Sequence, residues 1–78
     1  MNIESYLNLY KDKPILDKII AYGETTARIE RADFKSSSDV TKNPDDRMYY
    51  LSEYHAQIER ANGLLDMIKR DIATPPGF

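Results

Sequence analysis

The sequence predicts an all-α protein, in which two long helices form an antiparallel hairpin preceded by a short N-terminal helix. Apolar side chains recur every three or four residues, helix-start signals precede both long segments, and no stretch alternates apolar with polar residues. The chain has 78 residues, which is the size of one domain, so we expect residues 1–78 to form a single helical-hairpin domain.

The first helix is expected at about residues 3–10. Asn2 can cap it, and Ile3, Tyr6, Leu7 and Tyr10 follow at helical spacing. The polar segment "KDKP" should end this helix, because a residue that precedes proline avoids helical geometry.

The second helix is expected at about residues 14–35, with Pro14 in its first turn and Asp12 as its expected cap. Glu24 and Arg28 lie four residues apart and can pair on its surface. The polar, serine-rich stretch "KSSSDVTKN" should end it. Its apolar positions are Ile15, Leu16, Ile19, Ile20, Ala27 and Ile29.

The third helix has the clearest start signal and is expected at about residues 44–72. Asn43 is a good cap, Pro44 suits the first helical position, and the acidic Asp45 and Asp46 complement the positive end of the helix dipole. The segment "TPPGF" should end the helix. A loop of about nine residues lets it fold back on the second helix.

The third helix carries two apolar stripes. The first, called the seam below, combines three aliphatic residues with two polar ones, and the second lies beside it. Together they are wider than one partner helix can cover, so we expect a homo-oligomer. The seam comprises Leu51, His55, Ile58, Asn62 and Leu65, and the second stripe comprises Tyr50, Tyr54, Ala61, Leu64 and Ile68. The expected oligomer or partner interface is Leu51, Tyr54, His55, Ile58, Asn62 and Leu65.

The polar residues of the seam have two interpretations each. Asn62 can pair with its symmetry mate and fix the register of an oligomer, or it can lie at a seam edge open to water. His55 can lie in the interface, or it can be half exposed with local hydrogen bonds. Gly23 and Gly63 lie within helices, where glycine commonly lets another backbone or a ligand approach closely.

Composition excludes several classes of protein. The chain has no cysteine, which rules out disulfides and thiolate metal sites. Its net charge of −2 comes from interspersed charges, which argues against binding to duplex DNA. No apolar run approaches the ~20 residues that span a bilayer, and the N-terminal sequence does not resemble a signal peptide. We therefore expect a cytoplasmic protein, in the host cytoplasm if it is viral.

The sequence predicts no catalytic residue, no metal site and no cofactor. Ser52, His55 and Glu59 are the residue types of a nucleophilic triad, but on one straight helix they form a row without an oxyanion hole. His55 and Glu59 provide too few ligands for a metal. We therefore expect a protein that is not an enzyme.

Tyrosine is the functional residue type that stands out, with six copies. The segment "YKDK" places Tyr10 beside Lys11 and Lys13, where a ring and two ammonium groups can form a pocket for a small phosphate-bearing ring. The alternative is that Tyr10 anchors the first helix beside solvated lysines.

The layout resembles a family of small helical-hairpin proteins, the anti-CBASS sponges, by which phages sequester the cyclic nucleotide signals of bacterial defence. The resemblance rests on Tyr10 before a helix, Arg28 within it, Pro44 at the return helix and "ANGLL" over residues 61–65. Lys11 stands where the family usually has a histidine. The resemblance implies an assembly of hairpins with the ligand between protomers, and ligand-binding residues Tyr10, Lys11, Lys13 and Arg28.

Three functions follow as hypotheses from these patterns. The protein is expected to be a phage counter-defence sponge that binds a cyclic oligonucleotide. The alternatives are a phage-type inhibitor that binds a host protein through the tyrosine-rich third helix, and a structural oligomer or adaptor.

Overall fold

A computed structural model describes residues 2–73, which form three α-helices and no strand. These are α1 (Ile3–Tyr10), α2 (Ile15–Lys35) and α3 (Pro44–Ala73). The predicted all-α class and the three predicted helices are therefore confirmed. The expected stop signal "TPPGF" falls on residues 74–78, which lie outside the described part of the chain.

Two of the three predicted helix caps are confirmed. The Asn2 side chain accepts a hydrogen bond from the Ser5 N–H at 2.8 Å, and the Asn43 side chain accepts one from the Asp45 N–H at 2.8 Å. The prediction for Asp12 was wrong. Pro14 occupies the N-cap position of α2 without a side-chain cap, and its carbonyl accepts hydrogen bonds from the N–H groups of the first turn.

Contacts at both ends of the hairpin show that α2 and α3 are antiparallel. At the open end, Lys18 Nζ near the start of α2 lies 2.6 Å from Asp71 Oδ2 near the end of α3. At the loop end, Lys35 Nζ lies 5.4 Å from the centre of the Tyr50 ring. The result is an elongated molecule with extents of 55 × 20 × 14 Å.

The side chains that α2 buries are small or polar, whereas those that α3 buries include two large aliphatic residues. On α2 the buried positions are Lys18, Ala21, Thr25 and Ala32, and on α3 they are Gln57, Ala61, Leu64 and Ile68. Leu64 is the one large aliphatic side chain that is completely enclosed among the described residues. Three of the four buried α3 positions thus belong to the second stripe, and none belongs to the seam.

Helix α1 packs against α3 at Gly63, where the absence of a side chain leaves room for Leu7 of α1. A Cβ atom at position 63 would lie 2.6 Å from Leu7 Cδ1, which is closer than carbon atoms approach. The Tyr6 ring is buried beside this contact, and its hydroxyl is 3.3 Å from Thr25 Oγ1 of α2. The group that approaches Gly63 is thus the Leu7 side chain of the same chain, whereas a backbone or a ligand was expected there.

Large apolar side chains lie mainly on the outside of the molecule. On the seam, Leu51, His55 and Asn62 are exposed, while Ile58 and Leu65 are half-buried. The single chain thus leaves both polar residues of the seam in contact with solvent. The exposed large apolar residues are Leu9, Leu16, Ile19, Ile20, Phe34, Val40, Met48, Tyr49, Leu51 and Ile72.

The substitution Gly63→Ala should lower the free energy of unfolding. The alanine gains about 1 kcal/mol of helix propensity, but it displaces Leu7, and overpacking of this kind costs about 1–3 kcal/mol. We expect a net loss of about 1 kcal/mol in urea unfolding. In a Leu7→Ala background the same substitution meets no leucine, so it should stabilise α3. An equal effect of Gly63→Ala in both backgrounds would contradict this account.

Candidate functional site

Tyr10 lies in an open cleft of about 400 Å³ between the end of α1 and the first half of α2. Leu9 and Tyr10 come from α1, and Lys13 comes from the turn that follows it. The Lys13 N–H donates a hydrogen bond to the Tyr10 carbonyl at 3.0 Å. Asp17, Ile20, Ala21 and Glu24 of α2 form the other wall. This cleft, called the Tyr10 cleft below, brings together two of the four predicted ligand-binding residues, Tyr10 and Lys13.

The Tyr10 phenol is partly shielded from water. Its ring centre is 5.3 Å from that of Tyr6, and the two rings are tilted by 55°. Burial raises the pKa of the Tyr10 phenol, Tyr6 and the Glu24 carboxylate raise it further, and the Arg28 guanidinium lowers it. Tyr10 therefore remains a neutral ring at physiological pH, with a hydroxyl group that can donate a hydrogen bond.

The charges of the Tyr10 cleft are unbalanced for an anionic ligand. Lys13 is the one cation among its lining residues, whereas Asp17 and Glu24 are both acidic. A phosphate group would therefore meet a net negative charge in a single chain. The cleft can stack and contact a ring, but additional cations are needed to hold a phosphodiester.

Lys11 does not reach the Tyr10 cleft. It lines a separate cavity of about 280 Å³ where all three helices meet, together with Lys18, Arg70 and Asp71. Lys18 is only 4% exposed, and the short ion pair with Asp71 satisfies its charge. The two lysines that flank Asp12 thus line different cavities, because the chain turns between them.

Arg28 lines a third cavity, the arginine–tyrosine groove, of about 320 Å³. Arg28 and Arg31 of α2 face Tyr49, Tyr50 and Glu53 of α3 across the buried Ala32. Arg31 was not among the predicted ligand-binding residues. Its position could have been inferred from the sequence, because Arg28, Arg31 and Lys35 recur at three- and four-residue spacing and so share one side of α2.

The predicted interface residues of α3 form a half-exposed strip on the outside of the hairpin. Tyr54 is half-buried and packs edge-on against His55, with 5.6 Å between ring centres. The strip is accessible to a second molecule, and its role in self-association stays a prediction.

Residues 2–73 were searched for clusters of metal-binding side chains and for membrane-spanning helices. Nowhere in this range are three or more His, Asp or Glu side chains arranged to hold a metal ion. Among the helices described, none is both long and apolar enough to cross a membrane.

Comparisons of the chain with protein-family models, with curated proteins and with solved structures find no match.

The raised pKa of Tyr10 predicts a loss of stability at high pH. The folded protein keeps the phenolic proton at pH values where the unfolded chain, with the usual pKa of 10.0, has lost it. This contribution is complete below pH 10.0 and decreases as the pH rises above it. Tyr10→Phe should therefore lose less free energy of unfolding than the parent between neutral and alkaline pH. Equal losses in urea titrations of the two proteins would contradict the effect.

Proposed function

We propose that this protein is a non-enzymatic sponge that sequesters a cyclic nucleotide signal between protomers, as a phage counter-defence protein does. The observation that carries the proposal is the convergence of Tyr10 and Lys13 in one open cleft. A tyrosine ring stacks on a nucleobase and an ammonium group pairs with a phosphate. The resemblance of the chain to the anti-CBASS sponges supports the choice of a cyclic nucleotide.

The apolar rim of the cleft supports a site between protomers. Leu9 and Ile20 line the cleft, and both are more than half exposed. A second copy that covered these side chains would bury apolar surface and close the cleft over the ligand at the same time. The same copy could supply the additional cations that a phosphate needs beside the negative charges of Asp17 and Glu24.

Binding should depend on Tyr10. Stacking of a base on an aromatic ring contributes about 1–3 kcal/mol, so Tyr10→Ala should weaken binding by roughly 5- to 150-fold. Calorimetry against a panel of cyclic dinucleotides and trinucleotides measures this loss. Chromatography of the released ligand should show it chemically unchanged, because the proposal assigns no catalytic group.

Lys13 and Lys11 provide a matched pair for the same titration. Lys13→Ala removes the ammonium group of the Tyr10 cleft and should weaken binding, more strongly at low salt than at high salt. Lys11→Ala removes an equal charge two residues away, but from a different cavity, and should have a much smaller effect. No heat with any cyclic nucleotide would overturn the proposal.

A second function, inhibition of a host protein, is favoured by one exposed patch. Met48 and Tyr49, in the second turn of α3, are 63% and 64% exposed. Large flexible and aromatic side chains of this kind are enriched in the centres of protein interfaces. Of the three tyrosines on α3, Tyr49 is the most exposed, since Tyr50 and Tyr54 are half-buried.

If a host protein binds, Tyr49 should dominate the contact. Interface hot spots contribute about 2 kcal/mol or more, so Tyr49→Ala should weaken binding by about 30-fold. Tyr49→Phe keeps the ring and should lose far less. Surface plasmon resonance with the captured host protein compares the two variants with the parent. Equal affinity of the parent, Tyr49→Ala and Tyr49→Phe would exclude Tyr49 as the anchor.

A further inference from the structure

An apolar stripe runs along the side of α2 that faces away from α3. Leu16, Ile20 and Phe34 are each more than half exposed, and the spacing from the buried Ala21 and Thr25 places them on the opposite side of the helix. The outer stripe of α2 comprises Leu16, Ile20, Gly23, Ala27 and Phe34, and the same spacing places the exposed Glu30 between Ala27 and Phe34. It extends over most of the helix and lies apart from the α3 strip already considered for self-association.

Gly23 lies at the middle of this stripe in open space. A Cβ atom at position 23 would meet no atom within 4 Å, in contrast to position 63. Glycine within a helix costs about 1 kcal/mol relative to alanine, and no contact among residues 2–73 requires it at this position. The missing side chain leaves room for the close approach of a backbone from outside the chain.

One flank of the outer stripe carries charges of opposite sign in its two halves. Asp17 and Glu24 lie in the first half, and Arg28 and Arg31 lie in the second. These residues line the Tyr10 cleft and the arginine–tyrosine groove, which succeed each other along this flank. Lys18–Asp71 is the one ion pair within the described range, so none of the four charges is paired there.

We propose that two copies of this chain associate through the outer stripes of α2, with the two α2 helices antiparallel. In an antiparallel helix pair each flank faces the same flank of the partner in the reverse direction, so the acidic half meets the basic half. A crossing point near Gly23 and Ala27 places Glu24 beside Arg28 of the second copy. The same register places Leu16 beside Phe34 of the second copy.

A parallel arrangement lacks this complementarity. In a parallel pair the flank with four charges faces the opposite flank of the partner, and the acidic halves lie at the same end. The sequence of charges therefore selects the antiparallel orientation, while the apolar stripe and Gly23 allow close packing. The second copy is thus the occupant whose charge and shape match this surface.

The dimer also completes the Tyr10 cleft. The second half of the partner α2 lies against Asp17, Ile20 and Glu24, so Arg28 and Arg31 of the second copy reach the edge of the cleft. Two arginines added to one lysine and two carboxylates change the local charge from −1 to +1. This part of the inference rests on the proposed function, whereas the dimer itself does not require any ligand.

Charge exchange between two variants tests the orientation. One variant carries Asp17→Lys and Glu24→Lys, and the other carries Arg28→Glu and Arg31→Glu. Each variant alone should sediment near the 9.0 kDa monomer mass, because like charges face each other in its dimer. An equimolar mixture should recover a species of about twice that mass, since the basic flank of one variant meets the acidic flank of the other.

Three results would overturn the dimer: a monomeric parent protein at micromolar concentration, single variants that dimerise as the parent does, or a mixture that stays monomeric although circular dichroism shows both variants folded.

The substitution Gly23→Leu gives a second test, which does not change any charge. The open space at position 23 leaves the fold intact, and the leucine should weaken dimerisation by about tenfold or more. Unchanged dimerisation of Gly23→Leu would also contradict the proposed crossing point.

Calorimetry separates the dimer from the ligand. If the parent dimerises but binds no cyclic nucleotide, the dimer stands and the proposed function fails. If the ligand binds equally well to the parent and to a monomeric Gly23→Leu variant, the contribution of the second copy to the cleft is excluded. Weaker ligand binding by Gly23→Leu, with dimerisation reduced in parallel, supports both.

Discussion

The rest of the structure depends on the small size of most side chains that α2 buries against α3. Three of the four buried positions of α2 are Ala21, Thr25 and Ala32, whose small side chains allow α3 to approach closely. The distance between packed helices is set by the side chains at their contact. The large aliphatic residues Leu16 and Ile20 lie on the outside of α2, away from these small positions.

Polar interactions occupy part of this small core. Lys18 is held by Asp71 at the open end, and the Thr25 hydroxyl donates to the Ala21 carbonyl at 2.7 Å. Such bonds satisfy buried polar groups but add little net stability. The apolar surface that could stabilise the fold lies outside, where a second molecule can bury it. An association that binds only the folded chain would stabilise it by mass action.

The arrangement of charges explains how one chain can present several kinds of surface. Residues close in sequence, such as Lys11 and Lys13, line different cavities because the chain turns between α1 and α2. Residues further apart, such as Glu24 and Arg31, share one flank because helical periodicity aligns them. The Tyr10 cleft and the arginine–tyrosine groove thus lie on one side of α2.

The sequence by itself determined the secondary structure of this protein. Asn2 and Asn43 fix helix starts through local hydrogen bonds, and Pro14 limits the conformations of its neighbours. Asp12 failed as a cap because the carbonyl of Pro14 accepts the first hydrogen bonds of α2. Such signals act over a few residues, so a single sequence contains them.

Only the tertiary structure decided which surfaces face inward. Periodicity revealed two stripes on α3, but it could not show that Ala61 and Leu64 face α2 while His55 and Asn62 face solvent. Which residues are buried depends on how closely the helices pack and on where α1 binds. Leu7 of α1 packs against Gly63, which fixes the position of α1 on α3. For the same reason the sequence grouped Tyr10, Lys11, Lys13 and Arg28, whereas the fold joins only Tyr10 and Lys13 in one cleft. Contacts between distant segments fix these positions, and no local pattern encodes them.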